Sequence, residues 1–285
     1  MLASQFITDL ISRGRYCFAT KEAVQVLGTG MIAARAALRR LRQKGELASP
    51  CKGFFIIVPP EYRSAGCLPA DHFIPSLMEH LHEGYYAGLL SAAEYHGAAH
   101  QRPQVFQVVV ARNKPEIVCG KIRIQFVARK NMEKIPTLDF KTPRGYVRIS
   151  TPAATAFDLV GYFHHAAGLD NVATIFAELA ERIDTKELVA IAALSPIAWA
   201  QRLGYLLDLV GAEDKTVDLA DYISLKKPVP TPLVPSKPFR GIDQSKRWRL
   251  LVNAKVEAEV SFPWISSPNG SGMSPGQRMT RWSRI

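Results

Sequence analysis

The chain has 285 residues, of which 47% are hydrophobic, and 36 Lys+Arg against 25 Asp+Glu give a formal net charge of +11. That length holds two domains at roughly 100–200 residues each, and the apolar fraction excludes a disordered polyelectrolyte. No stretch reaches the ~18–20 apolar residues of a membrane span, and the excess of positive charge points first to nucleic acid and second to an anionic membrane surface.

In chain order, Leu2 to Ser12 places apolar residues at 2, 6, 7, 10 and 11, the spacing of an amphipathic helix. Asp9 interrupts that apolar pattern and speaks against a secretory signal, so the expected compartment is the cytoplasm. The four cysteines, at 17, 51, 67 and 119, form no C-x-x-C pair and read as reduced thiols. Thr20 is expected to cap a short helix, KEAVQVL, that Gly28 closes, and Thr29 to cap a third helix over Met31–Lys44. Between them lies a turn of helix-turn-helix length.

In the third helix Met31, Ala34, Leu38 and Leu41 share one face. Arg35, Arg39 and Gln43 follow at four-residue spacing beside it, with Arg40 further round. Ala33, Ala34, Ala36 and Ala37 keep the helix slim enough for a major groove, while the arginines reach phosphates or guanine edges. The run ELASPCKGFFIIV then reads as strand, turn and strand, with Pro50 to Gly53 as the turn and Lys52 at its tip. Residues 1–60, with nine basic and three acidic residues, are therefore expected to form a winged helix-turn-helix that binds DNA through Thr29, Arg35, Arg39, Arg40 and Lys52. The competing readings are a helical subdomain with an ordinary solvated basic face and a winged helix that binds RNA or docks protein.

Residues 61–225 read as an α+β domain with a small sheet and a helical block. Helices are expected at Asp71–His82 and Tyr86–His96, strands at Val105–Ala111, Ile122–Ala128 and Tyr146–Ile149, and helices at about 152–165, 170–182, 184–194 and 196–210. From Arg102 to Arg148 there are eleven basic and three acidic residues. Arg102, Arg112, Lys114, Lys121 and Arg123 form a candidate second basic surface, against the alternative of a solvated sheet face. The five prolines between Lys226 and Arg240 mark a strap that opens a basic segment over 226–260, and 261–285 is expected to be disordered.

No arrangement carries chemistry. His96-x-x-x-His100 lacks the neighbouring glutamate of a zinc peptidase, and Asp139-x-Lys141 lacks a second acid for a Mg²⁺ site. Asp158 is expected to bond locally. Neither enzymatic activity, nor a cofactor, nor a metal is expected.

Several stretches together resemble the AbiEi family of antitoxins, the regulators of type IV abortive-infection toxin–antitoxin systems. They are ALRRLRQKGEL, KGFFIIVPPEY, YYAGLLSAAEYHGAAHQRPQVFQVVV, VRISTPAATAFDLVGY and AQRLGYLLDLVGA, within residues 1–260. The resemblance implies a repressor that binds inverted repeats in double-stranded DNA at its own operon's promoter. It further implies counteraction of a nucleotidyltransferase-like toxin without a stable complex. A nucleic-acid-processing enzyme using the basic second domain and a non-DNA winged-helix adaptor are the alternatives.

Overall fold

A computed structural model describes residues 2–98 and 103–259 of the chain. The tail expected to be disordered, 261–285, lies outside the described residues, as do His100 and Arg102.

The first elements run helix, strand, helix, helix, strand, strand: α1 (Ala3–Ser12), β1 (Cys17–Ala19), α2 (Thr20–Leu27), α3 (Met31–Gln43), β2 (Leu47–Cys51) and β3 (Phe54–Ile57). The three strands form an antiparallel sheet in the order β1-β3-β2. Phe6 and Leu10 of α1, Ala34, Leu38 and Leu41 of α3, and Leu47 and Ile57 of the sheet close one core. Gly28 ends α2 at φ +61°, a left-handed conformation that costs glycine nothing.

Four local expectations need correction. Neither Thr20 nor Thr29 caps a helix: Ala19 and Gly30 hold those positions, with no side-chain hydrogen bond. Met31 points away from the core and is 39% exposed. The hairpin turn is the two residues Lys52-Gly53, because Cys51 already pairs with Phe54. Pro50 lies within β2, where the register shifts between Ala48 and Cys51, and such a bulge tolerates a residue that cannot donate.

The following segment holds α4 (Ile74–His80), β4 (Tyr86–Ala87), α5 (Leu89–Tyr95), β5 (Val105–Val110), β6 (Ile117–Cys119), β7 (Ile122–Ala128), β8 (Thr137–Thr142) and β9 (Gly145–Ser150). The expected helices at 71–82 and 86–96 are thus shorter. Their first residues form a 3-10 turn at Ala70–His72 and the strand β4. A six-stranded mixed sheet runs β6-β7-β5-β4-β9-β8, with β5/β7 and β4/β9 parallel. Along β5 the side chains alternate between two buried faces. Val108 and Val110 meet Leu77 of α4 and Phe54 and Ile56 of β3, while Val109 meets the helical layer.

That layer comprises α6 (Pro152–Gly161), α7 (Leu169–Leu179), α8 (Thr185–Ala193), α9 (Ile197–Leu209) and α10 (Val217–Lys226). Thr151 caps α6, its hydroxyl accepting from the Ala154 amide at 3.3 Å, and Pro152 fills the first helical position without losing a bond. The proline-rich stretch runs as an extended strap with a short strand, β10 (Thr231–Pro232), beside β11 (Gln244–Ser245) and β12 (Leu250–Leu251). Leu233 of this stretch and Trp248 and Leu250 beyond it are buried in the core of the helical layer. The architecture is α+β, with ten α-helices among the described residues.

Candidate nucleic-acid interface

Burial of Ala34, Leu38 and Leu41 fixes the rotation of α3. One edge of the helix then carries Met31, Arg35, Arg39 and Arg42, spaced four, four and three residues apart so that all four stack in a row. This row forms one wall of a groove of about 730 Å³. Lys52, Gly53 and Phe55 of the hairpin, Thr20 and Lys21 of α2, and His80 and His82 complete its lining, with the Thr20 amide 2.8 Å from the Gly53 carbonyl oxygen. His80 lies against Lys52, its Nε2 3.5 Å from that residue's carbonyl oxygen.

The groove contains no carboxylate. Among the described residues, no ion pair links Lys21, Arg35, Arg39, Arg42 or Lys52 to an acid. Five unneutralised cations around one concavity focus a positive potential into it. Of the residues singled out by sequence, the groove gathers Arg35, Arg39 and Lys52. Arg40 is exposed on the outer side of α3, and Thr29 is exposed in the preceding turn. Lys21, Arg42, His80 and His82 were missed. Arg42 was in reach of helical periodicity, seven residues after Arg35, whereas His80 arrives only by tertiary packing.

The second basic stretch is distributed differently. Lys114 pairs with Glu83 at 2.7 Å and Arg123 with Glu116 at 2.6 Å. Arg112 and Lys121 are exposed, but they lie at opposite ends of the parallel pair β5/β7. Five residue steps at about 3.3 Å separate those ends by roughly 17 Å. Arg102 lies outside the described residues.

The remaining polar clusters build structure. Arg129 and Asp158 form an ion pair with side chains only 2% and 0% exposed, and the Tyr86 hydroxyl donates to Asp158 at 3.0 Å. Burial pushes the Asp158 carboxyl up, opposed by the Arg129 guanidinium and the Tyr86 hydroxyl. Asp208 accepts from Trp248 Nε1 at 2.7 Å and from Thr216 at 2.8 Å, and it pairs with Arg247, which pins the strap to α9. His96 is buried with Nε2 2.7 Å from the Ser150 carbonyl oxygen, and burial lowers its pKa. Asp139 and Lys141 are exposed on β8, the last strand of the sheet. Among the described residues no three His, Cys, Asp or Glu side chains are placed to hold a metal ion. No helix among them is long and apolar enough to cross a membrane.

Residues 86–209, from β4 through α9, match the family described as the AbiEi antitoxin C-terminal domain. Among solved structures, the RV2827C protein from Mycobacterium tuberculosis is similar with a TM-score of 0.61 at 17% identity, over 87% of this chain and 90% of that one. At that identity the likeness is one of fold. A comparison with curated proteins gives no match. The basic groove lies N-terminal to the matched segment.

Proposed function

We propose, from the premise that residues 86–209 belong to the AbiEi antitoxin C-terminal domain family, that this chain is a cytoplasmic antitoxin that represses its own operon. The family is regulatory rather than enzymatic and belongs to toxin–antitoxin and abortive-infection systems. On this reading residues 1–60 are a winged helix-turn-helix that binds inverted repeats in the promoter. Residues 61–225 counteract a nucleotidyltransferase toxin without a stable complex, and residues 226–260 strap the helical layer.

The observation that carries the DNA reading is the carboxylate-free groove with its five cations. The element order of residues 3–57 supports it: the helix, strand, helix, helix, hairpin sequence is that of a winged helix, with α3 as the reading helix and Lys52 on the wing. Thr29 precedes that helix and Arg40 extends its exposed side, so both join the proposed footprint. The separated pairs Arg112/Lys114 and Lys121/Arg123 serve at most as peripheral contacts.

Five phosphate contacts per protomer give a slope of about −4.5 in log K against log[salt], from about −0.9 per phosphate. Replacing Arg39 and Arg42 together by alanine is expected to flatten that slope by about 1.8 and to abolish repression of the operon's own promoter, while protection from the toxin persists. Fluorescence anisotropy with the upstream duplex measures the first and a promoter reporter the second. An unchanged slope in that double variant overturns the groove as the DNA site.

A further inference from the structure

We infer that Ile32 reads the C5-methyl group of a thymine in the major groove and so sets part of the chain's sequence preference. The inference rests on the DNA reading above and extends it from phosphate contact to base readout.

Ile32 is the second residue of α3 and keeps 86% of its surface in water, more than any other large apolar side chain among the described residues. At about 100° per residue it lies roughly 150° around the helix from the buried stripe of Ala34, Leu38 and Leu41. It therefore points straight outward. Ala36, one turn on, and Arg39, two turns on, share that outer line, and both are exposed. A β-branched residue on an exposed helix surface also costs a few tenths of a kcal/mol in propensity relative to alanine. Burial against the protein repays none of that cost here.

Arg35 and Arg42 sit to one side of this line and face the wing, where one phosphate strand would run, and Arg39 stands where the line borders the groove. A helix so oriented offers its outer line to the base edges, and the first turn of a reading helix is the part that reaches them. The apolar feature on a base edge there is the thymine methyl, which suits a branched aliphatic side chain. Ala36 adds no bulk that would hold the helix away.

The test uses the full chain and unmethylated synthetic DNA. The wild type first selects its preferred duplex from a randomised pool, and each thymine in that duplex is then replaced singly by uracil, which removes only the methyl group. At one thymine or more, uracil is expected to weaken wild-type binding about four-fold, the worth of one buried methyl group. Ile32→Ala is expected to bind the thymine and uracil duplexes equally at that position, and Ile32→Val to keep most of the discrimination. Because Ile32 is solvent-exposed, both variants are expected to stay folded, with Ile32→Val unfolding at the wild-type temperature and Ile32→Ala at that temperature or about a degree or two above it.

If Ile32→Ala keeps the wild-type sensitivity at every thymine, the inference is overturned and the DNA reading stands. If Ile32→Ala changes the oligomeric state and not the thymine sensitivity, Ile32 is a protein contact, and the inference is again overturned. If the wild type selects no sequence at all, the DNA reading fails first and takes the inference with it.

Discussion

Replacing Asp158 by alanine is expected to be among the costliest single changes in this chain. The carboxylate is fully buried and accepts from both Arg129 and the Tyr86 hydroxyl. Its removal strands a guanidinium whose side chain is 2% exposed and a phenol 1% exposed, neither of which water can reach. Arg129 keeps the Ser195 hydroxyl at 2.8 Å, the ring of Trp199 5.4 Å from its guanidinium carbon, and the Tyr86 hydroxyl, none of which carries a counter-charge. Breaking a buried pair by deleting one partner costs about 3–5 kcal/mol, and the orphaned phenol adds about 1 kcal/mol or more. The sum approaches half of a typical domain's stability of about 5–15 kcal/mol. Urea unfolding followed by circular dichroism measures it. The companion variant Asp158→Leu with Arg129→Met removes both charges and is expected to recover most of the loss, because no unpaired ion remains. A loss below about 1 kcal/mol for Asp158→Ala, or a double variant no better than the single one, would falsify the account of this pair as a coupled unit.

Other outcomes follow from packing and titration. A methyl group on Gly204 would lie 2.1 Å from the Trp248 ring, so Gly204→Ala is expected to push the indole off Asp208. Its cost should reach about 3 kcal/mol in thermal unfolding, the upper range for overpacking. His96 has its pKa lowered by burial, so below its ordinary value of 6.5 the unfolded chain takes up a proton that the folded chain refuses. Stability is therefore lost as pH falls through that range, and His96→Gln should flatten the dependence of unfolding temperature on pH. Burial pushes the Cys17 thiol up to about 12, so iodoacetamide at about pH 8 should label it far more slowly than a free cysteine. Labelling at the free rate would show that this side chain is open to solvent.

Legibility in the sequence tracked how local each cause is. The Thr151-Pro152 start of α6 could be read because cap and helix are neighbours in the chain, and the strand Ile122–Ala128 because seven residues suffice to display alternation. β1 spans three residues, too few to show a period, and β8 mixes Asp139, Phe140 and Lys141 because it is the last strand of its sheet. The expectation of local bonding for Asp158 failed for a related reason: its partners lie 29 and 72 residues away. Counting charge over 102–148 likewise missed Glu83, which neutralises Lys114 from outside that window. Arg35, Arg39 and Lys52 were legible from helix and hairpin alone, whereas their assembly with His80 and His82 needed α4 to dock beside the hairpin.

The small N-terminal sheet has consequences for how the two cores move. Ile57 and Phe18 face the N-terminal helices, while Phe54, Ile56 and Val58 face α4 and the large sheet, so both cores share one wall. Arg144, in the β8–β9 turn, lies over the Tyr16 ring at 3.3 Å and clamps the same seam from the side. A head held this way has no free joint on which to swivel. A displacement of the large sheet would be passed through this wall to the core that seats α3, much as a lever carries torque.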